Sequence, residues 1–559
     1  MDRRDRAVVG SLVALLVLIV AAVVVPALGP RAVPASPSGS GTPLPASSVT
    51  AESRPYREGV VGAATSINPL TAVSRADRDL VALVFSGLVA LGPGETLVPS
   101  LATDWTVDGG GRVWTFHLRP DAVWQDGEPV TATDVVFTVA VLQDPSYTGP
   151  TAASWRDVKA SALDPHTVRF QLSTPLGGFL EAATQPIVPA HLLNDVPVDQ
   201  LADAPFGREP VGSGPYRLVS LDDTRAILTP VAGSTDTAPA GTDGPPDIEL
   251  QFFDDAPSLA AAYEAGLLDA ASGLPPADAA RLGALPGSRL LRYPGSTLTA
   301  VVFNLRPSHM EFRDPRVRRA LLRGIDRARI IDAAWAGHAV TANVPIPPAS
   351  WAFDPAGRAT DYERRAATKG LAEAGWKAAN GAWTRPGSKG AVTVELLSPD
   401  VATNPSTFLA AADVAADWQR LGLRVEHVPL PPAELVTQLR PGSFSAAVVD
   451  VNVGLDPDLY PLLASTQTTS RGLNVAGLID PALDKQLLAA RGPGDEAVRR
   501  AAYKALVALL ADRQYLLPIA FRDEVVVVRD SVSGQAIRRV GEGSDRFWDV
   551  LTWRLAVGP

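Results

Sequence analysis

Residues 7–25 form an uncharged, mostly apolar run of 19 residues, preceded by Arg3, Arg4 and Arg6 and followed soon after only by Arg31. At about 1.5 Å per helical residue the run spans nearly the ~30 Å hydrocarbon core of a bilayer. Arginines ahead of the run predict a cytoplasmic start and an exported remainder. A cleaved leader usually has a shorter apolar region of about 7–15 residues, so the length favours a retained anchor, although the stretch from Pro26 to Gly29 offers small residues at cleavage-like spacing. From Pro30 to Tyr56 the pattern vanishes, and Pro, Ser, Gly and Ala dominate. This stretch reads as a mobile tether with a reach of about 30 Å. No later run is long enough to span a bilayer, so the remaining ~500 residues are expected to form a soluble ectodomain.

In that body the apolar positions alternate between helical and strand periods. Thr131, Ala132, Thr133 and Asp134 make a capping box ahead of Val135, Val136, Val139 and Leu142. Asp314 and Pro315 open another helix, with Val317, Ala320, Leu321 and Ile325 on its buried face. Asn380 and Gly381, between Trp376 and Trp383, signal a hairpin turn. Residues 392–451 give the clearest local architecture. A strand over 392–397 precedes a helix whose face carries Phe408, Ala411, Ala415 and Trp418 and which Gly422 stops. A strand over 423–428, a short helix over 431–439 and a strand over 444–451 follow. This order predicts parallel pairing through right-handed crossovers. Ligands on such sheets sit outside the carboxyl ends of the strands, an edge that carries Ser398, Asp450, Asn452 and Gly454.

Composition narrows the function. Hydrophobic residues make up 46% and charged residues 20% of the 559, which fits a globular protein and not a disordered one. A net charge of −10 lacks the basic excess of a nucleic-acid binder. The absence of cysteine excludes disulfides, thiolate metal cages, a Cys nucleophile and a lipid-bearing Cys. The six histidines show no metal-ligand spacing, and no metal site is expected. Val211, Gly212, Ser213 and Gly214 lack the spacing of a nucleophile elbow and read as a turn. Gly92 to Gly94 and Gly109 to Gly111 lack the rest of a dinucleotide loop. The arginines from Arg316 to Arg329 read as a solvated helix face. Trp105, Trp114, Trp124 and Trp418 are expected in the core.

Several segments, in order, resemble the extracytoplasmic solute-binding proteins of ABC importers, in the peptide/nickel (oligopeptide- and dipeptide-binding) class. They are Phe85-Ser86-Gly87-Leu88, residues 97–102, Asp104-Trp105, residues 115–119 and the block from Val123 to Val135. Residues 210–216 and 266–270, Asn304, residues 312–321 and 325–327, Ala374-Gly375-Trp376 and residues 418–422 complete the series. Each motif is modest alone, and their ordered combination over residues 57–559 is highly specific.

The resemblance implies an α/β, two-lobed periplasmic-binding-protein-like fold of type II with an extra subdomain, its mixed sheets flanked by helices. By analogy, lobe I comprises 57–87, 200–293 and 518–559, the subdomain 88–199 and lobe III 294–517, after an anchor or signal segment (1–29) and a linker (30–56). It implies a monomer that is not an enzyme and needs no cofactor. Such a protein captures a peptide or similar solute outside the cytoplasmic membrane and delivers it to ABC permease subunits. A ligand touching both lobes stabilises only the closed state, so its binding energy drives closure. An anchored hydrolase, or a carrier of a sugar, opine or metal chelate, is the alternative.

Peptide binders of this class usually carry an aspartate, in the loop after the third lobe-III strand, that pairs with the peptide's α-ammonium. Here the loop runs from Asp450 to Asp458 and no residue stands unambiguously at that place. Asp450 or Asp456 substitutes, or the solute lacks a free amine. The expected ligand-binding residues are Ser66, Asn68, Asn304, Asp450, Asn452 and Gly454, with Asn and Asp orienting the solute and Gly admitting backbone groups. Ser66 and Asn68 also suit a simple turn before Pro69.

Overall fold

The computed structural model describes residues 54–149, 155, 157–231, 245–355, 357, 360–379, 381–469, 472–493 and 496–556. The apolar run over 7–25 and all but the end of the tether lie outside them. So does Asn380, although the strands Lys377–Ala379 and Ala382–Thr384 on either side of it pair antiparallel, with Gly381 at φ +73°. Among the described residues no helix is long and apolar enough to cross a membrane.

Ten strands follow one another across a large mixed sheet. Their order is Arg424–Leu430, Thr393–Pro399, Ala446–Asn452, Ser288–Phe303, Leu516–Arg529, Ala270–Ser272, Tyr56–Val61, Ile248–Phe253, Arg225–Pro230 and Tyr216–Leu221, with Ala339–Thr341 added beside Leu516–Arg529. The expected strand–helix alternation over 392–451 is present, and Thr393–Pro399 pairs parallel with both Arg424–Leu430 and Ala446–Asn452. The helix Pro405–Arg420 buries Ala411, Ala415 and Trp418 as predicted, whereas Phe408 is half-buried and packs on His427 at 5.2 Å. Its first turn is held by Asn404, which accepts from the Thr407 amide at 3.1 Å.

A second, four-stranded antiparallel sheet orders Ala102–Asp108, Val113–Leu118, Thr167–Leu172 and Val158–Asp164. Val113–Leu118 buries every second residue, the signature of a sheet with one face packed and one wet. The helix Ala132–Gln143 begins where the capping box placed it, with the Thr131 amide donating to Asp134 Oδ2 at 2.8 Å. The helix Pro315–Arg323 is capped by Asp314 and buries Val317, Ala320 and Leu321. Ile325 is buried too, but just past the helix end.

Two large apolar cores result. One is drawn from Leu298 to Phe521, with Phe303 stacked on Phe312 at 4.4 Å and Trp418 behind it. The other is drawn from 56–293 and 526–553, with Trp114, Phe116, Phe170 and Phe179 at its centre. Trp114, Trp124 and Trp418 are buried, while Trp105 is only half-buried.

The strands Ser288–Phe303 and Leu516–Arg529 run antiparallel through both cores. Their register slips between Pro294 and Leu298. Gly295 sits in the slip, where a Cβ would fall 2.1 Å from the Arg522 carbonyl oxygen. Only glycine lets the two backbones pass at this point.

In the second core lies a buried ion cluster. Arg546 donates to Asp79 at 2.6 and 2.7 Å and to Glu58 at 2.7 Å, and Tyr56 donates to the other Glu58 oxygen at 2.8 Å. Arg75 adds a bond to Glu524. Each charge is compensated in place, which makes such burial tolerable.

Candidate functional site

The loop that leaves Ala446–Asn452 crosses the long strand pair and meets segments from the other core. Val453 donates to the Ser296 carbonyl at 3.1 Å. Gly454 turns with φ +71°, and a Cβ there would strike Glu181 Oε1 at 2.6 Å. The amides of Leu455 and Asp456 donate to the two Glu181 oxygens, each at 2.6 Å. Burial pushes the Glu181 carboxyl up to about 7, against the two amides that hold it down.

Arg539 locks the same junction. It is buried and donates to Glu95 Oε1 at 2.7 Å, to Ser296 Oγ at 2.8 Å and to the carbonyls of Gly454 (2.9 Å) and Leu455. Glu95 also accepts from the Trp351 amide at 3.3 Å. Glu95 and Glu181 come from the stretch that carries the four-stranded sheet, and Trp351 and Leu455 from the stretch around the first core. These contacts therefore join the two sides over the strand crossing.

Beside the junction opens a cavity of about 1180 Å³. It is lined by Pro69, Ala72 and Val73, by Arg78, Val81 and Ala82 of the helix Arg75–Val84, by Phe85 and Ser86, and by residues between Gly541 and Thr552. Asn452, Gly454 and Leu455 close it from the loop. The size suits a small solute or short peptide.

The six expected residues separate here. Asn452 and Gly454 line the cavity, and the Asn452 side chain is oriented by Gly541, to whose carbonyl it donates at 2.9 Å, and by the Gly454 amide, which it accepts at 2.9 Å. Ser66 and Asn68 lie just behind the lining. Ser66 bonds Thr71 Oγ1 at 2.8 Å and Asn68 accepts from the Leu70 amide at 3.0 Å, so both shape the turn that delivers Pro69. The Asn68 amide nitrogen is buried without a partner. Asn304 is away from the cavity, its amide donating to the carbonyls of Gly442 (2.7 Å) and Phe444 (3.0 Å) while its oxygen accepts from the Arg306 amide. Asp450 is likewise engaged by its own chain: Thr299, Asn404 and Thr407 donate to it at 2.6–2.8 Å, and Arg522 pairs with it at 3.2 Å.

The other two loop carboxylates are also paired. Arg499 grips Asp456 at 2.5 and 2.8 Å, and Arg491 meets Asp458 at 2.9 Å. None of these arginines was in the expected set. They sit far from the loop in sequence, and no local pattern links them. The apolar lining was missed as well, because Val81, Phe85 and Trp548 carry no motif that distinguishes a cavity wall from a core. At the sheet edge Ser398 Oγ lies 2.8 Å from His427 Nε2, a nucleophile–base distance. Ser398 is fully buried, however, so no substrate reaches it in this geometry.

The model of the bacterial extracellular solute-binding proteins, family 5, matches residues 96–472. The oligopeptide-binding protein AppA of Bacillus subtilis is 25% identical over 469 residues, covering 82% of this chain and 84% of the relative. The dipeptide-binding protein of Escherichia coli is 24% identical over 514 residues, covering 86% and 92%. The crystal structure of NikZ from Campylobacter jejuni in complex with Ni(L-His) superposes with a TM-score of 0.70 at 23% identity, covering 89% of this chain and 99% of that one.

Proposed function

The chain belongs to the bacterial extracellular solute-binding proteins of family 5, and from that premise we propose that it is the substrate-binding component of an ABC importer. It captures a peptide or similar small solute outside the cytoplasmic membrane and delivers it to the permease. One observation carries the reading: a cavity of solute size lies beside bonds that tie Glu181 and Arg539 to a loop on the far side of the strand crossing. Lobe I over 57–87, 200–293 and 518–559, the subdomain over 88–199 and lobe III over 294–517 are the bodies that move. The slip at Gly295 is where they bend. A solute that bridges them favours the closed arrangement by its differential contacts.

Relatives of similar sequence are named for peptides, and a structural relative holds Ni(L-His), so a metal chelate stays the second reading of the cargo. The relatives are binding proteins, which supports a carrier and not an enzyme. Within this reading residues 7–25 hold the protein at the outer face of the membrane and 30–56 let it swing to the permease as a monomer. Asn452 and Gly454 contact the solute, and Ser66 and Asn68 position the turn at Pro69 beneath it.

Native mass spectrometry of freshly isolated protein, paired with small-angle scattering before and after the bound solute is removed, tests the proposal. A co-purified small molecule and a smaller radius of gyration in its presence are expected. A scattering profile that no solute changes would overturn it.

A further inference from the structure

Charge is unevenly spread along the chain. Between Arg313 and Lys389 fourteen Lys and Arg stand against seven Asp and Glu, a balance of +7 inside a chain of −10, which leaves −17 for the rest. The fold brings this excess together on adjoining elements. The helices Pro315–Arg323 and Arg364–Glu373 lie antiparallel: the Glu363 amide donates to the Arg323 carbonyl at 2.9 Å, and Arg316 reaches the Glu373 carbonyl at 3.3 Å. A Cβ on Gly370 would lie 3.0 Å from that of Ala320, so the two helices pack closely. The hairpin over 377–389 folds back on them, with Pro386 against Gly375.

Two of the arginines expected on a solvated helix face are not on it. Arg318 and Arg327 are buried and donate to backbone carbonyls, among them those of Phe312, Gln514 and Thr360. Arg329 is matched by Asp413 and Asp417, and Arg319 by Asp512 at 3.7 Å. Exposed beyond these are Arg313, Arg316, Arg323, Arg364, Arg365 and Lys369, and the hairpin adds three more cations and no acid. Four carboxylates share the face. Asp314 pairs with Arg316 at 2.7 Å and Glu373 with Lys369 at 3.5 Å, while Asp361 and Glu363 flank Tyr362. Nine cations thus stand against four acids. The ring of Tyr362 is left 44% exposed at the start of the second helix, and such amphipathic rings settle at the headgroup level of a bilayer.

We propose that this face docks on an anionic phospholipid surface. The proposal rests on the membrane placement given above and not on the cargo. A body held to the bilayer by one apolar segment gains a second attachment from a basic patch. Guanidinium forks match phosphate oxygens two at a time, and each cation near a negative surface adds attraction. The acidic remainder is repelled by the same surface, so the whole charge distribution turns this face toward it.

The chain has no cysteine, so Thr368→Cys, on the exposed side of the second helix, accepts a single fluorescent donor. The labelled full chain is reconstituted in vesicles of phosphatidylcholine, alone or with about 30% of the anionic phosphatidylglycerol, that carry a trace of acceptor-labelled lipid. Energy transfer is expected to rise about twofold or more with the anionic lipid at 0.1 M salt. It should fall back at 1 M, where the Debye length shrinks from about 10 to about 3 Å. Replacing Arg323, Arg364 and Arg365 by Gln is expected to abolish the rise, and replacing them by Lys to keep it, both without moving the melting temperature. Transfer that the anionic lipid leaves unchanged, or a rise that the Gln variant retains, would overturn the proposal. A face that ignores the lipid but binds dissolved polyglutamate would belong to an acidic protein, which overturns it as well. A chain that floats with neither kind of vesicle would remove the membrane placement too. Compaction by a solute is read separately by scattering, so the carrier reading survives any of these failures.

Discussion

Glu181 reaches across the strand crossing to two amides, and its carboxyl is held up near 7 from an ordinary value of 4.5. Burial does most of this, against the two amides, while the Asp456 charge adds to it and Arg539 opposes it. In an open arrangement the side chain returns to water and to its ordinary value. The closed form thus takes up a proton as pH falls through about 7, whereas the open form does so only near 4.5. Closure, and solute affinity with it, should therefore rise as pH falls across that window. An increase of up to about 30-fold between pH 8 and pH 5.5 is expected by linkage from these two values. Calorimetry over that range checks it, and Glu181→Gln should flatten the profile. An affinity that declines on acidification would contradict the argument.

Among the elements, the long strand pair depends on one residue without a side chain. Gly295→Ala would drive a methyl into the Arg522 carbonyl, and a loss of about 1–3 kcal/mol, typical of overpacking, is expected in urea unfolding. Full stability in that variant would show that the backbones separate freely at the slip. Much at this scale was legible from the sequence. The capping box at Thr131, the Asp314 cap and the strand–helix alternation over 392–451 are local patterns whose periods survive in the fold. Phe408 departed from its expected burial because the helix turns Thr407 and Ala410 inward instead, and Thr407 hydrogen-bonds Asp450. Site chemistry was less legible for the same reason. Asp450 and Asn304 sit at plausible positions along the chain, yet their polar groups are claimed by partners such as Arg522 and Gly442 that only tertiary structure brings near.

For the whole molecule, the ion cluster around Arg546 stitches segments from near both ends of the described body. Arg546→Met leaves Asp79 and Glu58 buried beside one another without their main counter-charge. A loss of about 3–5 kcal/mol is expected, read as a lower midpoint in urea with an unchanged slope. A shift of less than about 1 kcal/mol, the scale of an exposed ion pair, would mean that water reaches the cluster.

The reach of that cluster also bears on how the molecule comes into being. Glu58 and Arg546 are 488 residues apart. At ribosomal speeds of about 5–20 residues per second, roughly 25–100 s separate the synthesis of one from the other. The neighbours of the first strand in the sheet, Ile248–Phe253 and Ala270–Ser272, are made less than halfway through that interval, but Glu58 lacks its counter-ion to the end of it. The buried cluster therefore closes only when nearly the whole of the described body has been made.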